Sequence, residues 1–310
     1  MYQNLCSMLG INYPIIQGGM AWVANHALAA AVSQAGGLGI IASGNAPTKW
    51  VREEIRKCKE LTDRPFGVNI MLLSPYADEV AHMIVEEGVK VVTTGAGNPA
   101  RYVEMWKDNG IKFIPVVPSV AIARKMEKVG ADAIIVEGCE AGGHIGELTT
   151  MALVPQASQV VSVPVIAAGG IGDGRGVAAA FMLGAKGVQM GTRFLVAHES
   201  PAHKDYKQRV IKASDIDAVV TGRSTGHPVR SLRNQLSREY IRLEKEGTEP
   251  GELDKLGEGA LQRAVVDGDI NKGVVMAGQI SGLVTREQSA KEIIDEVWNE
   301  TEKLIRGCDI

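Results

Sequence analysis

The sequence predicts an α/β fold of the (β/α)8 TIM-barrel class, with a small helical appendage inserted before a C-terminal return segment. Three observations lead there. Short apolar runs recur eight times in the first two-thirds of the chain, each run is continuous rather than alternating, and helical stretches separate them. A strand buried on both faces has no polar side to present, so continuous Val- and Ile-rich runs point to a parallel sheet. Eight such units amount to a barrel of the usual ~250-residue size.

The runs are YPIIQ (13–17), GLGIIA (37–42), FGVNIML (66–72), VKVVTTG (89–95), KFIPVVP (112–118), AIIVEG (133–138), PVIAAGG (164–170) and GVQMGT (187–192). Between them lie helix signals. Ser74-Pro75 and Asn98-Pro99 pair a capping side chain with a proline suited to the first helical turn, and Ser119 can cap a third helix. Gly88, Gly110, Gly130 and Gly184 follow the ends of helices, where a left-handed cap is easiest for glycine. A doubly wound open sheet is the competing fold. It calls for a GxGxxG turn after its first strand, and the first run leads instead into Gln17-Gly18-Gly19-Met20.

Residues 198–272 are polar and charged, with the basic stretch RSLRNQLSREYIRLEK (230–245) and a linker rich in Gly, Glu and Pro. They are expected to form a small helical, substrate-side appendage to a barrel domain made of residues 1–197 and 273–310. The apolar segment GVVMAGQISGLV (273–284) is expected to return to the barrel mouth, followed by an amphipathic C-terminal helix.

Bulk properties narrow the function. A net charge of −3 gives no nucleic-acid or membrane signal. The N-terminal MYQNLCSMLGINYP lacks the basic start and long apolar stretch of a signal peptide, so a cytoplasmic location is expected. Cys6, Cys58, Cys139 and Cys308 are scattered without a CxxC pair, so neither a metal site nor a disulfide framework is expected. Cys58 falls on an apolar helical stripe.

In a barrel of this class the chemistry sits at the carboxyl ends of the strands. There the sequence places Gly18, Gly19 and Met20, then Ser43, Gly44 and Asn45, then Asn69, then Glu137 and the glycine-flanked His144 of EAGGHIG. Gly169 and Gly170 follow the seventh run, and Gly191 and Thr192 end the eighth. Those last two loops commonly build a phosphate site, because bare backbone N–H groups can approach an anion. His144 is the candidate catalytic residue, since an imidazole donates or accepts a proton near neutral pH. His26 and His82 fall in predicted helices and His198 and His203 on the polar appendage, while His227 in GHPVR lies in a turn that can touch a ligand. Cys139 precedes His144 closely, but no third group is visible to orient a Cys–His pair. Glu137 suits hydroxyl binding, and Asn69 puts an amide into an apolar strand where it needs partners.

The segments QGGMAWVA, GLGIIASGNAP, GVNIMLLSP, VVTTGAGNP, EAGGHIG, VIAAGGI, MGTRF and VMAGQISGLV together resemble those of the flavin-dependent enoyl-acyl-carrier-protein reductases of bacterial type II fatty-acid synthesis. The resemblance spans nearly the whole chain and is weakest over 198–272 and at the extreme C-terminus. Nitronate monooxygenases share the glycine–histidine loop and the phosphate glycines, which makes oxidation of alkyl nitronates the alternative activity. GVNIMLLSP and VMAGQISGLV favour the reductase.

The resemblance implies an FMN cofactor, NADH or NADPH as co-substrate, and acyl carrier protein bearing an enoyl thioester as partner. A homodimer is the expected assembly. Gly169, Gly170, Gly191 and Thr192 would hold the FMN phosphate. Gly19, Met20, Asn69 and Glu137 would contact the flavin, Met276 and Gln279 would close over it, and His144 would stand beside it. Met20, Ile70 and Met276 could line an acyl path. Arg230, Arg233 and Arg238 could form a docking surface for an acidic carrier.

Overall fold

Each of the eight apolar runs becomes a strand in the computed structural model, which describes residues 2–307. Six come first: β1 (Ile15–Gln17), β2 (Gly39–Ala42), β3 (Phe66–Met71), β4 (Val91–Gly95), β5 (Lys112–Val117) and β6 (Ile134–Glu137). A two-residue strand, β7 (Gly143–His144), interrupts the count before β8 (Val165–Ala168) and β9 (Gly187–Met190). The parallel sheet runs β1-β9-β8-β6-β5-β4-β3-β2, and a bridge between Ile16 and Leu38 joins its two ends into a barrel.

The barrel is filled by side chains. Ile16, Ile40, Val91, Ile114, Ile135 and Ile166 point inward and share a buried cluster with Leu5, Cys6 and Leu9 of the helix Gln3–Leu9. That helix plugs the N-terminal end: a Cβ on Gly187, the first residue of β9, would lie 2.5 Å from Leu5 Cδ2. With the bottom stoppered, the open end is the carboxyl rim of the strands. A larger cluster, holding Cys58, Trp106 and Phe113, lies between the strands and the surrounding helices.

The glycine joints form as the sequence predicts. Gly88, Gly110, Gly130 and Gly184 all have positive φ, from 63° to 110°. Ser119 caps the helix Val120–Val129 through Ile122 N–H at 3.4 Å. Ser74-Pro75 instead occupies a turn, and its helix starts at Ala77.

The C-terminal helix Ala290–Gly307 buries Ile293, Ile294, Val297, Trp298 and Thr301. This helix packs against the helices His26–Gln34 and Gly174–Met182. Its Glu300 carboxylate accepts from Gly174 N–H at 2.7 Å, at the start of the helix Gly174–Met182.

The polar segment after β9 holds the helices Lys204–Ile211, Gln235–Lys245, Pro250–Gly257 and Ala260–Asp267. It also holds a hairpin that periodicity did not disclose: β10 (Ala218–Thr221) pairs antiparallel with β11 (Val229–Leu232), and β11 pairs antiparallel with β7. The hairpin is thereby stitched to the His144 strand. Among the described residues no helix is long and apolar enough to cross a membrane. Cys308 lies outside the described residues.

Candidate active site

The carboxyl rim gathers the residues that the sequence singles out. Gly19 and Asn69 touch: a Cβ on Gly19 would lie 2.5 Å from Asn69 Cβ. Asn69 Nδ2 donates to Thr93 Oγ1 at 2.9 Å on the neighbouring strand, which supplies the half-buried amide with a partner. Met20 reaches Gly191, whose Cβ would sit 3.5 Å from the Met20 sulfur. Met276 reaches Gly143, beside His144, again at 3.5 Å.

The returning segment is tied down at several points. Gly278 N–H donates to Thr192 Oγ1 at 2.9 Å, and Gln279 N–H donates to the Glu140 carbonyl at 2.9 Å. Tyr206 is buried, and its hydroxyl donates to the Met276 carbonyl at 2.8 Å. Gln279 itself is exposed.

The turn after β8 is tightly constrained. Gly169 and Gly170 both adopt positive φ, at 86° and 72°, and a Cβ on Gly169 would lie 2.7 Å from the Gly138 carbonyl. Thr150 Oγ1 lies 2.8 Å from the Gly169 carbonyl and 3.1 Å from that of Ala168. The Glu140 carboxylate in turn accepts from Thr150 N–H, with both oxygens at 3.0 Å. Among the described residues, the N–H groups of Gly169 and Gly170 have no acceptor within the protein. Gly169 is half-buried and Gly170 exposed, so these donors are open to an anion from outside the protein.

Glu137 ends β6 deep in the mouth, hemmed in by protein although part of its surface is open. Burial pushes its pKa up to about 7, so near neutral pH it is divided between an acceptor and a donor form. His144 is exposed at its edge but held by its neighbours. Burial, followed by the charge of His227, draws its pKa below the ordinary histidine value. Its backbone is not a loose loop, because Val229 lies opposite it in the β7–β11 pair.

Two expectations need correction. Arg230 is buried at 6% exposure, with Nε donating to the Cys139 carbonyl at 3.0 Å, so it is not part of an exposed docking surface. Arg233 and Arg238 are exposed. Ile70 is fully buried in the core around the barrel and cannot line an acyl path. Glu140, Thr150 and Tyr206 escaped sequence reasoning. For Tyr206 the available signal was its spacing of four from Val210, an apolar stripe in an otherwise polar helix.

The carboxyl rim thus brings together a glycine turn, a carboxyl group whose pKa burial has raised and a histidine. The sequence pattern of nitronate monooxygenase matches residues 3–83 and 75–300. The chain belongs to the nitronate monooxygenase family. It is a flavin oxidoreductase of that family.

Solved and curated relatives cover the family member almost end to end. FabK from Thermotoga maritima shares 50% identity and a TM-score of 0.95 over 98% of this chain and 97% of that one. The (3aS,4S,5R,7aS)-5-hydroxy-7a-methyl-1-oxo-octahydro-1H-indene-4-carboxyl-CoA dehydrogenase of Mycobacterium tuberculosis is 35% identical over 94% of each chain. The probable nitronate monooxygenase of Staphylococcus saprophyticus is 33% identical over 97% of this chain and 98% of its own.

Proposed function

We propose that this protein is an FMN-dependent enoyl thioester reductase, taking hydride from NADH or NADPH and saturating a trans-2-enoyl chain carried by acyl carrier protein. The observation that carries the reading is the likeness to FabK at 50% identity along the whole chain, joined to the reductase-like segments GVNIMLLSP and VMAGQISGLV. A curated relative named for a carboxyl-CoA substrate points the same way, toward thioester chemistry.

Gly169, Gly170, Gly191 and Thr192 would hold the FMN phosphate. Gly19, Met20, Asn69 and Glu137 would border its ring, with Met276 and Gln279 above it. Bound there, FMN supplies hydride exchange between a nicotinamide and the β-carbon of the enoyl thioester. The protein's part is orientation and charge stabilisation. Reduction builds negative charge on the thioester oxygen, and His144 donates a hydrogen bond to it. Its depressed proton affinity does not prevent this, because a neutral imidazole still carries one N–H. Cytoplasmic location and a homodimeric assembly complete the reading.

Nitronate oxidation is the second reading, favoured by the family pattern and by the staphylococcal relative. One assay separates the two. Purified protein is mixed with NADH and crotonyl-CoA, and loss of the reduced nicotinamide is followed by its absorbance. Oxidation that requires the enoyl thioester is expected. Turnover of a nitroalkane with none of crotonyl-CoA would transfer the assignment to the monooxygenase.

A further inference from the structure

In the motif GHPVR, Val229 and Arg230 are already placed beside the His144 strand, and the fold brings His227 there with them. In the pairing of β7 with β11, His144 lies opposite Val229 and Gly143 opposite Arg230. The ladder continues outward, since Ile145 N–H donates to the Pro228 carbonyl at 3.1 Å. One step further in the same register puts Gly146 opposite His227. Side chains alternate along a strand, so His144, Gly146, Val229 and His227 share one face of this ribbon. His144 and His227 are then diagonal cross-strand neighbours, a separation of ~7–8 Å that ring side chains can bridge.

That face looks onto the barrel mouth. A Cβ on Gly146 would lie 2.6 Å from Pro118 Cβ, just beyond the end of β5. Both imidazoles are exposed there. Their mutual influence is consistent with this placement, because the charge of His227 contributes to the lowered proton affinity of His144. The His227 backbone is held by its N–H donating to the Gly222 carbonyl at 3.0 Å. The hairpin tip is tied to the His144 segment by Arg223 and Glu147 at 2.8 Å.

Two donors answer a stereoelectronic need. An enolate oxygen accepts a hydrogen bond near the molecular plane, whereas its α-carbon accepts a proton perpendicular to that plane. One imidazole cannot meet both directions at once. We propose that His227 is a second catalytic residue of this site, delivering the proton to the α-carbon while His144 holds the thioester oxygen. This assignment rests on the enoyl reductase reading. Once hydride has added at the β-carbon, the former C=C pair resides on the thioester as an enolate. That pair forms the Cα–H bond with the His227 proton, the N–H bonding pair stays on the ring, and water restores the proton.

The test uses the flavin-loaded enzyme and the His227→Gln and His227→Asn variants, with melting temperature as a check on folding. Flavin reduction by NADH without enoyl substrate, and binding of unreactive butyryl-CoA by calorimetry, are expected to match wild type. Turnover of crotonyl-CoA is expected to fall by about 10²-fold, within the range for loss of a general acid. Run in D2O, wild type is expected to place deuterium at C2 of the product in one configuration, and the variants in both. Variants that keep the single configuration overturn the assignment, whether or not they turn over more slowly. A wild-type enzyme inert to crotonyl-CoA refutes the reductase reading itself, and that result is visible before any variant is made.

Discussion

His144 sits on the two-residue strand β7, whose pairing fixes the face from which its ring projects. Its own backbone lies opposite Val229 and that of Gly143 opposite Arg230, so removing the imidazole leaves the segment in place. His144→Ala is therefore expected to retain bound flavin and its melting temperature while enoyl reduction slows by about 10²–10³-fold, the usual loss for one donor to a developing oxyanion. Stopped-flow measurement of the enoyl-dependent half-reaction checks it, and unchanged turnover would remove the residue from the chemistry. Glu137 makes a different prediction. Its folded pKa stands near 7 against an ordinary 4.5, so between those values the folded state holds more proton than the unfolded one. Stability from this group therefore falls as pH rises from about 4.5 to 7. The difference in melting temperature, Glu137→Gln minus wild type, is expected to widen over that window in flavin-free protein. A constant difference would mean that the carboxyl is not desolvated.

Among the elements, the strands were legible because burial on both faces leaves an unbroken apolar run, and the helix ends because only glycine takes positive φ cheaply. The position of the glycines and His144 on the carboxyl rim was readable from their place after those runs. The β10–β11 hairpin was not readable. Its strands are four residues each, and β10 is only half-buried throughout, so no alternation stood out from a polar background. Arg230 was misread for a related reason: a basic run suggests a solvated face, and nothing local reveals that β11 turns one arginine inward toward the Cys139 carbonyl. The C-terminal helix, by contrast, showed its stripe plainly. Trp298 is 6% exposed, its ring edge-on to Tyr2 with centroids 5.0 Å apart. Trp298→Ala is expected to cost about 3–5 kcal/mol, as aromatic truncations in cores do. Equilibrium denaturant unfolding measures this, and a loss below 1 kcal/mol would show that the helix is not a structural seal.

At the scale of the whole molecule, the rim is assembled from segments far apart in the chain: Met20, Asn69, Glu137, Gly169, Thr192 and Met276 belong to different barrel units or to the return segment. A ligand that touches all of them binds only the closed barrel, so FMN is expected to stabilise the fold by linkage. At 100 times its dissociation constant the gain is about 2.7 kcal/mol. Two alanine substitutions separate that effect from backbone strain. Gly88 and Gly169 both have positive φ, at 63° and 86°, but a Cβ on Gly88 meets nothing within 4 Å whereas one on Gly169 lies 2.7 Å from the Gly138 carbonyl. Gly88→Ala carries only the left-handed penalty of roughly 1–2 kcal/mol and is expected to keep the full FMN-induced rise in melting temperature. Gly169→Ala carries a similar penalty, and relieving its overlap must also move the turn whose N–H groups would receive the phosphate. It is expected to lose most of that rise. Equal FMN-induced shifts in the two variants would place the phosphate elsewhere on the rim.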